Sequence, residues 1–78
     1  MTWNHRVVRE ILSSGEAWYS IREAFYNDAG KIYAYTEEPV DICGSSIEDM
    51  RKYLQWCMDC LDYPILEDGK VEFAKENE

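Results

Sequence analysis

The sequence predicts an α+β domain in two layers, a three-stranded antiparallel sheet packed on one α-helix. Three observations predict it. The first half alternates extended runs, rich in aromatic and β-branched residues, with turn sequences. The second half carries one sustained apolar repeat at helical spacing. The length, 78 residues, leaves room for one domain spanning 1–78 and no more.

The first strand is expected at about 3–12, where Trp3, His5, Val7, Val8 and Ile11 are interspersed with charge. Ser13-Ser14-Gly15-Glu16 ends it with turn chemistry. A second strand covers about 17–26, with Tyr19, Ile21 and Phe25 on one parity and Trp18, Ala24 and Tyr26 on the other. Both parities are partly apolar, which implies contacts on both sheet faces or a bulge. Asn27-Asp28-Ala29-Gly30 reads as a hairpin turn, Gly30 supplying the positive φ that closes it. The third strand, about 31–36, sets Ile32 and Ala34 against Tyr33 and Tyr35 before Pro39 ends the ladder.

A helix is expected at about 46–62. Ser45 with Glu48, or Ser46 with Asp49, fits a capping box, and Pro64 forbids continuation. Ile47, Met50, Leu54, Cys57 and Leu61 recur at steps of three and four and form the expected core stripe. Tyr53, Trp56 and Cys60 make a second stripe beside it. That surplus stripe either covers the sheet edge or the tail, or serves as a partner or homodimer surface. The segment 63–78 contains an Asp68-Gly69 turn between short apolar runs, suited to a fourth short strand or a small hairpin, with the last residues frayed.

Composition narrows the function. Eleven aromatic residues exclude a disordered chain. No apolar run approaches the roughly 18 residues of a membrane span, and the first residues lack the plan of a signal peptide. With three cysteines, Cys43, Cys57 and Cys60, the expectation is reduced thiols and a cytoplasmic location. Sixteen acids against eight bases give a net charge of −8. Residues 40–78 hold ten of those acids and four bases, so the negative field belongs to the C-terminal half. Such a surface repels phosphate, which argues against direct nucleic-acid binding.

Catalytic groupings are scarce. His5 is the single histidine, and a Cys–His pair with Cys43 or Cys57 lacks a third orienting group. Cys57 and Cys60 lie near a helix C-terminus, where the dipole opposes thiolate formation; redox pairs of this spacing sit at N-termini. Zinc would require His5 and Cys43 to converge on them, the reading of a zinc-binding or thiol protein. Arg6, Arg9 and Arg22 form the one basic grouping, and Glu10 and Glu23 are placed to neutralise it across strands. No phosphate loop is present, and neither a cofactor nor an enzyme activity is expected.

Two resemblances add to this. Trp3-Asn4-His5-Arg6-Val7-Val8-Arg9, followed by Glu16-Ala17-Trp18-Tyr19-Ser20-Ile21 and Asn27-Asp28-Ala29-Gly30-Lys31, resembles a family of short acidic bacterial and phage proteins without assigned activity. Three strands leading into Cys43-Gly44-Ser45-Ser46-Ile47-Glu48-Asp49-Met50 resemble more distantly the plan of HicB-type antitoxins. The second resemblance implies a βββαβ domain that neutralises a small toxin, here without the appended DNA-binding module.

The functional expectation is therefore a non-catalytic, protein-binding module with a basic or nucleic-acid-binding protein partner. A phage or mobile-element inhibitor of the anti-CRISPR kind is one form of it, an antitoxin-like domain another. Its candidate partner-binding residues are Tyr53, Trp56 and Cys60 as anchors, with Asp49, Asp59, Asp62, Glu67 and Asp68 as the negative field.

Overall fold

The computed structural model describes residues 2–69 and the backbone of 72–73. The frayed end expected beyond Phe73 lies outside them. The elements run β1 (Trp3–Ile11), β2 (Ala17–Tyr26), β3 (Ile32–Tyr35), α1 (Ile47–Cys60), β4 (Leu66–Glu67) and β5 (Glu72–Phe73). The class is α+β, as the sequence predicts, and the first four elements fall within two residues of their expected bounds.

The sheet differs from expectation. It is mixed, in the order β4-β1-β2-β3-β5, and not a three-stranded antiparallel sheet. β1–β2 and β2–β3 are antiparallel hairpins, but β4 pairs parallel to β1 through Val8 and Arg9, and β5 parallel to β3 through Ala34 and Tyr35. The tail is neither one added strand nor a hairpin bonded to itself. Only four residues separate β4 at one edge of the sheet from β5 at the other, so the two edges are drawn together and the sheet curls. Period-two patterning cannot reveal this, because two-residue strands carry no period.

The turns obey local chemistry. Asn27 Oδ1 accepts from the N–H groups of Ala29 and Lys31 at 2.9 and 3.0 Å, and Gly30 adopts φ +78°. Of the two alternatives for β2, contacts on both faces or a bulge, the second has a counterpart in the register shift against β3 between Phe25 and Tyr26. At the start of α1, Ser46 is the N-cap: its Oγ accepts from Asp49 N–H at 3.1 Å. The Asp49 carboxylate accepts instead from Ser45 Oγ at 2.5 Å.

Alternation along the strands sorts residues onto two faces. One face carries Val8, Ala24 and Tyr35, the buried cluster, with Ile32 and Leu66 packed against it inside the curl. Arg6 and Arg22 stand opposite each other on this face, both buried. Like charges so paired repel, and they coexist because their guanidinium groups diverge. Arg6 donates to Pro64 O and to Tyr26 Oη, tying down the chain after α1. Arg22 donates to Thr36 O and Glu37 O, tying down the chain after β3. Arg22 does meet Glu10, at 3.4 Å, but Arg9 pairs at 2.7 Å with Glu67, its register partner on β4, rather than with Glu10 or Glu23.

The other face receives α1, which lies along β1. Here the predicted core stripe is corrected. Ile47, Leu54 and Leu61 are exposed, whereas Cys57 and Cys60 are buried and Tyr53 is half-buried against His5. The helix is rolled so that the covered arc takes Met50 and Cys57 from the expected core stripe and Tyr53 and Cys60 from the second stripe, while Trp56 stays 55% exposed. Two adjacent apolar stripes look alike in sequence, and only the fit against the sheet selects which part of the wide apolar arc is covered. No helix among the described residues is long and apolar enough to cross a membrane.

Candidate functional site

Where α1 ends beside the first residues of β1, a cleft of about 260 Å³ opens. Its walls are Trp3, Asn4 and His5 from β1, Trp56 and Asp59 from the last turns of α1, and Tyr63 just beyond. β4 bonds β1 only at Val8 and Arg9, so among the described residues no strand covers the β1 edge at the cleft.

Three of the walls are aromatic rings that remain open to solvent: Trp3 is 39% exposed, Trp56 55% and Tyr63 44%. His5 is 6% exposed and sits among rings. Its centroid lies 5.4 Å from Trp3 edge-on, 5.3 Å from Tyr53 and 6.5 Å from Trp56 in a stacked arrangement. His5 Nε2 and Asn4 Oδ1 are buried without a hydrogen-bond partner among the described residues. Buried polar atoms are nearly always paired, so two orphans on adjacent residues of the cleft wall are an exception.

The electrostatics of the cleft are negative. Asp59 accepts from Gln55 Nε2 through Oδ1 at 2.9 Å, which leaves Oδ2 available. α1 ends beside the cleft, and no basic residue in its last turn offsets the partial negative charge of the helix C-terminus, although the carbonyls of Met58, Asp59 and Cys60 accept from the N–H groups of Leu61, Asp62 and Tyr63. Arg6 lies with its Cζ 5.7 Å from the Tyr63 ring; its Nη1 and Nη2 donate to Tyr26 and Pro64, and its buried Nε has no hydrogen-bond partner among the described residues.

Of the residues expected to meet a partner, Trp56 and Asp59 come together in this cleft. The others do not join them. Tyr53 packs behind His5, and Cys60, 1% exposed, belongs to the interior, so a homodimer across Tyr53, Trp56 and Cys60 would require α1 to leave the sheet. Asp49 serves the helix start, Glu67 pairs with Arg9, and Asp68 accepts from the Tyr35 hydroxyl. Asp62 is exposed and bonds only through its backbone N–H, to Asp59 O. Sequence reasoning missed Trp3, Asn4 and Tyr63 as site residues and weighed His5 only as a zinc ligand or the partner of a thiol. The available signal was weak: Trp3 and His5 share a strand face, and Tyr63 precedes the proline that stops the helix.

The cysteines point away from reactive chemistry. No group of three or more His, Cys, Asp or Glu side chains is placed to hold a metal among the described residues. Burial pushes the Cys57 and Cys60 thiols up, and for Cys60 the neighbouring Cys57 and Asp59 add to the rise. That is the reverse of an activated pair. A thiol raised in the folded state stabilises the fold fully below its unfolded value, about 8.5, and that contribution is lost as pH rises through the folded value. At pH 8, iodoacetamide is expected to modify exposed Cys43 within minutes and to reach Cys57 and Cys60 only in denaturant. Mass spectrometry counts the adducts, and three rapid adducts on native protein would contradict the burial.

No family model, curated protein or solved structure matches this chain, so its function is read from the site.

Proposed function

We propose that this chain is a small acidic protein-binding module that seats part of a basic protein partner in the cleft at the end of α1. The observation that carries the reading is the convergence of half-exposed Trp3, Trp56 and Tyr63 with Asp59 at an uncompensated helix C-terminus. A net charge of −8 accelerates encounter with a basic surface, and the aromatic rings supply the affinity that screened charges do not. The same combination suits an inhibitor of a nucleic-acid enzyme, whose positive channel accepts carboxylates in place of phosphates.

The test is affinity purification from the native host with wild type, Trp56→Ala and Asp59→Asn in parallel, at low and high salt. The expected result is a basic protein retained by wild type, lost with Trp56→Ala, and weakened by Asp59→Asn and by salt. Retention that ignores both substitutions and salt, or no basic protein at all, refutes the reading.

A further inference from the structure

The cleft, about 260 Å³, is of a size for one side chain or a compound of similar bulk. Its chemistry selects the charge. Anions are disfavoured by Asp59, by the C-terminal end of α1 and by the net charge of the chain. Neutral apolar groups would cover the rings but leave the carboxylate desolvated and His5 Nε2 still unpaired.

Resting on the reading of the cleft as a partner's seat, we infer that it is a guanidinium site, filled by an arginine side chain of the partner. A guanidinium is planar and weakly hydrated, so it stacks on indole and phenol faces at little desolvation cost. Its N–H donors match the acceptors of the cleft: Asp59 Oδ2, which no hydrogen bond occupies among the described residues, and His5 Nε2 once the exposed Trp3 and Trp56 rings swing apart. An ammonium brings three donors on a strongly hydrated point charge, and a quaternary ammonium brings none, leaving His5 as it is. The molecule already contains one such contact, Arg6 over Tyr63 at 5.7 Å.

The experiment uses the full chain, ¹⁵N-labelled, titrated with N-acetyl-arginine N-methylamide and with its lysine and citrulline counterparts. The readout is the three indole Nε1–H signals. Trp3 and Trp56 line the cleft, whereas Trp18 pairs with Glu10 at the far end of the β1–β2 ladder and serves as the internal control. Saturable shifts of Trp3 and Trp56 with a stationary Trp18 are expected for the arginine compound. Lysine should bind at least about fivefold more weakly, citrulline not at all, and Asp59→Asn should weaken arginine binding by about fivefold or more. Asp59 is exposed on the helix, so that variant tests the site without removing a core residue.

Equal binding of citrulline or lysine, an unaffected Asp59→Asn variant, or no saturable shift overturns the guanidinium assignment. If the arginine compound fails while a basic protein is still captured through Trp56, the module reading stands and this inference falls. If the compound binds and no basic protein is captured, the guanidinium site stands and the partner side chain is excluded as its source.

Discussion

Arg22→Met is expected to lower the unfolding free energy by about 3 kcal/mol, the cost of breaking a buried, hydrogen-bonded charge. Arg22 is 4% exposed. It donates to Ser20 Oγ at 2.9 Å, Thr36 O at 3.0 Å, Glu37 O at 2.8 Å and Glu10 Oε1 at 3.4 Å, and lies 5.8 Å from the centre of the Tyr35 ring. Methionine keeps much of the stem and none of the donors, so two main-chain carbonyls and a carboxylate lose their partner. Relief of the repulsion from Arg6 opposite holds the cost near the lower end of the range for buried pairs. A domain of this length has a total stability of roughly 4–12 kcal/mol, so the variant should be partly unfolded at 37 °C. Arg22→Lys should recover less than half of the loss, because one ammonium nitrogen cannot serve the two carbonyls, Ser20 Oγ and Glu10 together as the three guanidinium nitrogens do. Urea denaturation followed by circular dichroism measures both. A Met variant within about 0.5 kcal/mol of wild type would mean that the segment after β3 is held by other contacts.

Tyr35→Ala is expected to cost about 4 kcal/mol, the upper range for truncating a fully buried aromatic residue, and so to abolish stable folding. Tyr35 is the largest fully buried side chain and, with Val8 and Ala24, forms the centre of the curl. Tyr35→Phe separates packing from bonding. It keeps the ring and removes a hydroxyl that donates to Asp68 and accepts from Gly69 N–H at 3.4 Å, for about 1–2 kcal/mol. Burial, and next the bond to Asp68, raise the Tyr35 phenol above its usual value. A group raised on folding stabilises below its unfolded value, here about 10, and that stability is lost as pH rises through the folded value. The gap between wild type and Tyr35→Phe should therefore narrow above pH 10. A gap that stays constant to pH 11.5 would show that the phenol does not titrate with folding.

These two residues lie at the joints where the fold departs from a simple meander. The hairpins β1–β2 and β2–β3 need only neighbouring residues to specify them: Asn27 bonds its own turn, Gly30 turns left-handed, and the strands alternate. The helix start is likewise local, written in Ser46 and Asp49. Such features were legible because each is decided within about five residues of chain.

The roll of α1, the curl of the sheet and the cleft were not legible. All depend on partners far apart in sequence: Arg6 with Pro64, Arg9 with Glu67, Tyr35 with Asp68, and Trp3 with Trp56 around His5. Patterning shows that a helix has an apolar arc but not which part of a wide arc meets the sheet, since area and shape at the contact decide that. So the acidic charge, the α+β class, the element bounds and the aromatic–acidic character around Trp56 and Asp59 belong to the sequence by itself. The tertiary structure alone turned Cys60 inward, left Leu54 outside, and closed Trp3, His5, Trp56 and Tyr63 into one site, because burial is a property of surfaces that meet only after the chain has folded.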